Sequence, residues 1–371
     1  MIDNAIALKR AELTSLGVEL TDMTDTNPTR HGLFDPEIME ILARHLDRAG
    51  RYEPHPAGPW PARAALAERY GGSPEDYWLC ASTSEAYSWV FTLLRGPKAR
   101  VAIPCPGYPL VEPLATYHGF ETAPYHSLYA HPSGWELDHD SLQGAVEGAK
   151  ALVVINPNNP TGAYADPSLV DIAASRGLAL IADEVFHPFA LADTAAPRLL
   201  GGDASVVYGF DGLSKLLAAP QVKLAWIRLS GPRSATKDVR KDLDQIADTY
   251  LSVGTPVALA LPDLLGLADQ SVHRVVNRVK TNLETAQTLF NNLRVRTVHG
   301  GWMVLVDVPQ ITDADRLCIA LMERAGLYVH PGYFYDLDSS TLALSLLPTP
   351  EVFTESCTRL VAALSVLATE S

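Results

Sequence analysis

The chain has 371 residues, of which 47% are hydrophobic, and a formal net charge of −14. This length and apolar content predict a folded protein with one large and one smaller domain, and they exclude a disordered chain. Lys and Arg form no cluster larger than short pairs, so the acidic balance argues against nucleic acid or an anionic membrane as a partner.

The cysteines and the N-terminus indicate the compartment. Cys80, Cys105, Cys318 and Cys357 form no CxxC pair and are interpreted as buried free thiols of a reduced cytosol. Residues 1–10 are predicted to form a polar amphipathic helix without the apolar core of a signal peptide. No apolar stretch approaches the roughly 20 residues that span a bilayer. We therefore expect a soluble, cytoplasmic protein, and the absence of HxH and HExxH patterns predicts no metal.

The N-terminal part is predicted to contain a helix, an extended piece at 18–21, a helix at 36–49 and an irregular Pro-rich segment at 52–61. From about residue 62 to 260, apolar strands alternate with helical stretches, a pattern typical of a mostly parallel sheet covered by helices. The predicted strands are 77–80, 101–103, 151–155, 178–182, 206–210 and 224–229.

The C-terminal part is predicted to begin with a long helix over 262–294, which leads into an α+β region. That region is predicted to contain strands at 301–308, 327–329 and 341–346 and helices at 314–325 and 350–368. We predict a large domain at 50–265 and a small domain in which 1–49 and 266–371 pack together.

Three polar residues follow predicted strands of the large domain. Asn159 lies in the turn 156–162, Asp183 follows the strand 178–182, and Lys215 follows the strand 206–210. The carboxyl ends of parallel strands form the crevice where open α/β sheets bind small molecules. Pyridoxal phosphate chemistry needs these groups together: an amine for the imine, a carboxylate for the pyridine nitrogen and an amide for the ring oxygen.

Each of these residues also has an ordinary structural explanation. A lysine in a loop is usually a solvated surface residue, although the small and apolar neighbours of Lys215 fit its burial. A carboxylate such as Asp183 commonly caps a turn or helix, and Asn159 stands between prolines, which is typical of turns. Only the combination indicates a cofactor.

Two further segments could contact the same ligand. Thr83 and Ser84 open a predicted helix after the strand 77–80, where hydroxyl and backbone N–H groups either cap the helix or bind a phosphate. These two interpretations are compatible, since a capping geometry is also an anion site. Tyr108, in Pro-Gly-Tyr-Pro, either packs in the protein or stacks on a cofactor ring.

Together these residues resemble the aminotransferase class I/II family, within fold type I of the pyridoxal phosphate enzymes. The motifs are Asn-Pro-x-Asn-Pro-Thr-Gly at 156–162, Asp-Glu at 183–184 and Ser-Lys at 214–215, and the stretch 220–224 looks closest to alanine-aminotransferase-like members. The resemblance covers the chain from about residue 27 onward. It implies an α/β fold of type I, with a mostly parallel, seven-stranded-type sheet in the large domain and a smaller α+β domain.

The resemblance implies roles for individual residues. Lys215 would be the Schiff-base lysine, Asp183 would pair with the pyridine nitrogen, and Asn159 would hold the ring oxygen. Tyr108 would stack on the ring. The phosphate would be bound by Thr83, Ser84, Ser214 and Lys223.

The resemblance also implies a homodimer with shared active sites. Tyr52 matches the tyrosine that reaches the phosphate of the neighbouring subunit, and Thr255 would lie at the same boundary.

The chain departs from the family pattern at three positions. Phe186 stands where a tyrosine usually donates to the ring oxygen, and Lys223 replaces the usual phosphate-binding arginine with a group that cannot form a bidentate fork. Ala343 stands where an arginine usually binds the α-carboxylate of the substrate. Either the substrate lacks that carboxylate or another residue binds it, and Arg30 is our candidate for substrate binding.

We predict an aminotransferase that moves an amino group between an amino acid or amine and a keto acid through Lys215. The same residues serve elimination, replacement or cyclisation in a specialised pathway, so a pyridoxal phosphate-dependent lyase or related enzyme is the alternative. A non-catalytic sensor domain is a further alternative, but the chain starts directly in the fold without a basic, DNA-binding extension. The sequence does not identify the small-molecule donor and acceptor.

Overall fold

The computed structural model describes residues 4–191, 196–201, 205–308, 313–338 and 340–370. The strands within these residues are β1 (Thr21–Asp22), β2 (Tyr77–Cys80), β3 (Arg100–Cys105), β4 (Glu121–Ala130), β5 (Gly134–Leu137), β6 (Ala151–Ile155), β7 (Ala179–Asp183), β8 (Val207–Gly212), β9 (Ala225–Ser230), β10 (Arg294–Val295), β11 (Met303–Asp307), β12 (Leu327–Tyr328), β13 (His330–Pro331) and β14 (Thr341–Ser345).

The helices within the same residues are α1 (Ala5–Ser15), α2 (Glu37–Arg44), α3 (Trp60–Tyr70), α4 (Thr83–Leu94), α5 (Val111–Tyr117), α6 (His139–Val146), α7 (Ser168–Arg176), α8 (Leu213–Leu216), α9 (Arg233–Tyr250), α10 (Thr255–Leu265), α11 (Ala268–Leu289), α12 (Ala314–Ala325) and α13 (Pro350–Glu370). Residues 1–3 of the predicted first helix lie outside the described residues.

The large sheet has the strand order β2-β9-β8-β7-β6-β3-β4-β5. Strands β4, β3, β6, β7 and β8 run parallel, β9 lies antiparallel between β8 and β2, and β5 pairs antiparallel with β4. The predicted mostly parallel sheet is therefore confirmed. Strands β4 and β5 were not predicted, because β4 buries only Ala123 and Tyr125 and has no continuous apolar run.

Both faces of this sheet are covered, which explains its continuous apolar strands. Alternate residues of β6 belong to two different cores: Val153 packs in the core that includes α4 and α9, whereas Leu152 and Val154 pack in the core that includes α6 and α7.

The C-terminal part contains an antiparallel sheet in the order β10-β11-β14-β13. The start of the N-terminal segment packs on this part, because β1 pairs with β12 and Ile6 of α1 lies in the core formed with α11, α12 and α13. Helix α2 instead packs with α3 and α10 through Ile38 and Ile41.

The prediction of one helix over 262–294 is wrong. Helix α10 ends at Leu265 and α11 begins at Ala268, and Pro262 lies inside α10. At the break, the N–H groups of Gly266 and Leu267 bond to carbonyls three residues back, which ends the regular α-helical pattern. Glycine favours such a break because it is a poor helix former.

Among the helices of the described ranges, none combines the length and the apolar character that crossing a membrane requires.

Candidate active site

The carboxyl ends of β6, β7 and β8 lie side by side. Ile155 pairs with Asp183, and Asp183 pairs with Phe210, so the turn after β6, the end of β7 and helix α8 meet at one edge of the sheet. A cavity of about 270 Å³ opens there. The predicted site residues that line it are Thr83, Ser84, Tyr108, Asn159, Asp183, Ser214, Lys215 and Lys223.

Lys215 lies in α8, directly after β8. Its Nζ is 5.3 Å from the ring centroid of Phe186 and 5.0 Å from that of Trp302, so the amine faces an aromatic wall. Burial lowers the pKa of Lys215 to about 8, although the negative charge of Asp183 acts in the opposite direction. A lysine with this pKa is partly neutral near physiological pH and can act as a nucleophile or base.

Asp183 ends β7 and is almost fully buried. Its Oδ1 accepts a hydrogen bond from the N–H of Val185 at 3.3 Å. Burial raises the pKa of Asp183 to about 6, and the bond from Val185 partly offsets that effect. The carboxylate is therefore ionised at neutral pH and suited to pair with a cationic ring nitrogen.

Asn159 lies in a turn held by several bonds. The neighbouring Asn158 donates from Nδ2 to the carbonyl of Pro106 at 3.1 Å and accepts from the Thr161 hydroxyl at 3.0 Å. Gly162 closes the turn with φ +67°, and a Cβ there would lie 2.5 Å from the carbonyl oxygen of Gly300. The rigid turn fixes the position of Asn159.

The Oδ1 of Asn159 is buried and hydrogen-bonds to no group among the described residues. Buried polar atoms are rarely left without a partner. This unpaired amide at the cavity fits a residue that bonds to a ligand. Oδ1 can only accept, so donation to the ring oxygen would come from Nδ2, or from the Oδ1 position after the amide is turned over, since its two ends have nearly the same shape.

The N-terminus of α4 forms another wall of the cavity. Ser82 caps the helix, because its Oγ accepts from the N–H of Glu85 at 3.2 Å, and the Glu85 side chain accepts from the N–H of Ala81 at 2.5 Å. Thr83 and Ser84 follow in the first turn, so hydroxyl and N–H groups meet at the positive end of the helix dipole. This arrangement suits a phosphate. Lys223 lines the same cavity and adopts φ +56°, in the left-handed region that few side chains occupy.

Arg30 and Tyr52 are not among the described residues that line the cavity. The Arg30 side chain is 70% exposed and forms an ion pair with Asp25 at 3.3 Å. Tyr52 is 73% exposed. A single chain therefore does not bring these two residues to Lys215, and their roles stay predictions.

The two other departures from the family pattern, Phe186 and Ala343, have different surroundings. Phe186 lines the cavity and packs edge-on against Trp302 at 5.2 Å. Ala343 is fully buried in β14 and pairs with Leu305. It packs in an apolar cluster with Met303, Leu305, Trp135, Tyr335 and Leu337. Among the described residues, no arginine lines the cavity.

A buried ion network supports the segments that carry the site. Arg198 donates to Asp211 at 2.7 Å and to Glu184 at 3.3 Å, and Glu184 also accepts from the Asn156 amide at 2.9 Å. Glu184 adjoins Asp183, and Asp211 lies near the end of β8. Arg198 was not predicted, because it lies in a segment without a motif.

Other lining residues were also missed from the sequence. Tyr87 lies one helical turn after Thr83 on α4, so helix spacing could have found it. Trp302 and Met303 come from the C-terminal part and Thr26 from the N-terminal part, and no local pattern indicates that they approach Lys215.

The chain is similar in sequence to the following two relatives over part of its length. It is 32% identical over 238 residues to S-alkyl-thiohydroximate lyase of Arabidopsis thaliana, covering 60% of this chain and 51% of the relative. It is 29% identical over 301 residues to alanine aminotransferase of Mycobacterium tuberculosis, covering 76% of this chain and 69% of the relative. The chain therefore spans only about half the length of the plant lyase.

Solved structures have the same fold. Alanine aminotransferase from Pyrococcus furiosus superposes with a TM-score of 0.89 and 21% identity, covering 98% of both chains. The predicted fold type I architecture is therefore confirmed.

The family comparison covers most of the chain. A family model described as aminotransferase class I and II matches residues 39–360. Enzymes of this family use pyridoxal phosphate, the cofactor predicted from the sequence. The chain belongs to the aminotransferase class I and II family.

Proposed function

We propose that the chain is a pyridoxal phosphate-dependent aminotransferase that moves an amino group between an amino acid or amine and a keto acid. The observation that carries this proposal is one cavity lined by an amine of lowered pKa, a buried carboxylate and an unpaired amide. When bound, pyridoxal phosphate supplies an aldehyde that condenses with amines and a ring that withdraws electrons from the substrate α-carbon.

The residues of the cavity have separate tasks in this proposal. Lys215 anchors the cofactor and then carries a proton from the substrate α-carbon as general base and acid. Asp183 keeps the ring nitrogen cationic, and Asn159 donates to the ring oxygen. Tyr108 stacks on the ring. The phosphate is bound by Thr83, Ser84, Ser214 and Lys223.

A half-reaction assay tests the proposal. The loaded protein is mixed with one amino donor at a time, without acceptor, and the absorbance of the cofactor is followed. Accumulation of the pyridoxamine form with a released keto product is expected. Turnover of donors that never produces the pyridoxamine form would contradict transamination.

That contrary outcome would favour the second candidate, a lyase, replacement or cyclisation enzyme on the same fold. Two observations support this candidate: the similarity to a plant lyase and the apolar surroundings of Ala343. A non-catalytic sensor would bind the cofactor without turning over any donor.

A substitution at Phe186 tests how this residue affects the pKa of the imine between the cofactor and Lys215. A tyrosine at this position would donate to the ring oxygen and stabilise its phenolate form, so its absence leaves the imine with Lys215 more basic. We expect the parent to keep the protonated, yellow imine to higher pH than Phe186→Tyr in an absorbance titration. Phe186→Leu is the matched control and should titrate like the parent. Coincident curves for the parent and Phe186→Tyr would contradict the prediction.

We propose Arg30 as the substrate-binding residue, because Thr26, four residues earlier, lines the cavity. If Arg30 leaves Asp25 to bind a substrate carboxylate, Arg30→Ala should raise KM for a carboxylate substrate about tenfold, a typical loss for one ion pair. An amine that lacks the carboxylate is the control and should keep its KM. Unchanged KM for both substrates would eliminate Arg30 as the clamp.

We propose a homodimer with shared active sites. The exposure of Tyr52 supports this, since a tyrosine that leaves 73% of its surface exposed is available to a second subunit. Thr255, the first residue of α10, would lie at the same boundary.

We also propose a cytoplasmic location, which the four free cysteines support. The proposed division into a large domain at 50–265 and a small domain at 1–49 and 266–371 is supported by the core that Ile6, Met23 and Leu33 share with the C-terminal part. In contrast, Ile38 and Ile41 of α2 pack with α3 and α10. Nucleic acid, membrane and metal remain predicted absences.

A further inference from the structure

Tyr87 has a hydroxyl group that no described residue satisfies. It lies on α4, lines the cavity and is only 3% exposed, yet its hydroxyl hydrogen-bonds to no group among the described residues. Buried hydroxyl groups are rarely left without a hydrogen-bond partner. A buried hydroxyl without a partner at a ligand cavity indicates that the group contributes to binding there.

The ring of Tyr87 is held so that its hydroxyl cannot turn to solvent. It packs edge-on against Phe210 of β8 at 5.0 Å, and in a tilted arrangement against Phe91, one turn along α4, at 5.7 Å. The neighbouring Tyr125 shows the usual arrangement, because its buried hydroxyl donates to the carbonyl of Val153 at 2.9 Å. The hydroxyl of Tyr87, unlike that of Tyr125, has no backbone acceptor of this kind.

The group that can accept from Tyr87 is the Asp183 carboxylate. Burial and, after it, the negative charge of Asp183 raise the pKa of Tyr87 well above its ordinary value, so the phenol is a permanent donor beside this carboxylate. Both side chains line the same cavity, and the Oδ1 of Asp183 accepts a long bond of 3.3 Å from the N–H of Val185. The Tyr87 hydroxyl lies within reach of the carboxylate and partly offsets the rise in the pKa of Asp183 that burial causes.

We propose that Tyr87 is a positioning residue for Asp183: its hydroxyl donates to the carboxylate and holds it oriented toward the ring nitrogen of the cofactor. This inference rests on the proposed function, since it assigns Asp183 to the ring. Donation to the charged form also favours ionisation of Asp183. In this arrangement α4 supplies a second donor to the carboxylate, besides the N–H of Val185.

The pH dependence of cofactor binding follows from this arrangement. Asp183 must be ionised to pair with a cationic ring nitrogen, and its pKa is about 6, so affinity falls as the pH drops below that value. Lys215 favours ionisation, Asp211 opposes it, and Tyr108 adds a neutral phenol on the cavity side. Without Tyr87, the pKa of Asp183 rises and the loss of affinity begins at higher pH.

The test uses pyridoxamine phosphate, which carries the same ring nitrogen and phosphate but forms no imine with Lys215. Its dissociation constant is measured for the parent and Tyr87→Phe at pH values on both sides of 6. The midpoint of the affinity loss should move up by about one pH unit in Tyr87→Phe, as expected for one hydrogen bond to a charged group. Tyr125→Phe is the matched control and should keep the midpoint of the parent.

The outcomes separate this inference from the proposed function. A parent protein that binds no pyridoxamine phosphate at any pH would contradict the proposed function itself. If the parent binds it and Tyr87→Phe follows the same pH curve, or loses affinity equally at every pH, the role of Tyr87 is overturned. In an Asp183→Asn background, Tyr87→Phe should no longer change the pH dependence, which confirms that it acts through the carboxylate.

Discussion

Replacing Lys215 with alanine is expected to abolish the imine absorption band and to lower turnover by at least about 10³-fold. The variant loses both the anchor of the cofactor and the base that moves the α-proton. Absorbance after reconstitution with pyridoxal phosphate and steady-state rates with an active donor measure the two losses.

Lys223→Ala is the matched control, because it removes the second lysine that lines the cavity. It should weaken cofactor binding but retain the imine band at saturating cofactor. A Lys215→Ala protein that kept the band would contradict the assignment.

The pKa of Lys215 adds a pH dependence to this expectation. Burial lowers it to about 8, so the neutral, nucleophilic fraction of the amine increases as the pH rises through that value. Uptake of pyridoxal phosphate by the cofactor-free protein should accelerate as the pH rises through about 8, where half of the amine is neutral, and should level off only above that value.

Asp183→Ala is expected to lower turnover by about two to three orders of magnitude, since breaking a buried ion pair costs about 3–5 kcal/mol. Without the carboxylate, the ring nitrogen has no partner that holds its positive charge, and the ring withdraws electrons less strongly. Steady-state rates at saturating cofactor separate this effect from weaker binding.

Asp183→Asn keeps the shape of the side chain and removes its charge. It should lose nearly as much activity as Asp183→Ala if charge is the cause. If Asp183→Asn keeps a turnover rate within about tenfold of the parent, the charge on the ring contributes less than about 1.4 kcal/mol to transition-state stabilisation.

The residues at the strand ends were predictable because their signals are local. Asn159, Asp183 and Lys215 each follow an apolar run, and parallel strands in a sheet end at the same edge. The order of these runs therefore sufficed to bring an amide, a carboxylate and an amine to one cavity.

Residues that reach the cavity from other parts of the chain were not predictable. Trp302 precedes β11 in the C-terminal part, close to the bond that the N–H of His299 donates to the carbonyl of Gly162 at 3.2 Å. Strand β4 was missed because it buries only Ala123 and Tyr125, and the break between α10 and α11 because the apolar spacing continues through Gly266. These features are set by tertiary packing, which a local pattern does not contain.

The surface residues illustrate a different limit. The family resemblance predicted a role for Tyr52, and Arg30 was the candidate for binding the substrate carboxylate. Both side chains are largely exposed in the single chain. Their proposed roles require a movement of Arg30 away from Asp25 and a second subunit for Tyr52.

Borohydride reduction tests the central claim, that Lys215 anchors the cofactor, most directly. The protein is loaded with pyridoxal phosphate, reduced to make the imine permanent, digested and analysed by peptide mass. We predict the cofactor adduct on the peptide that contains Lys215. An adduct on Lys223 or another lysine, or no adduct in a protein that binds the cofactor, would contradict the account.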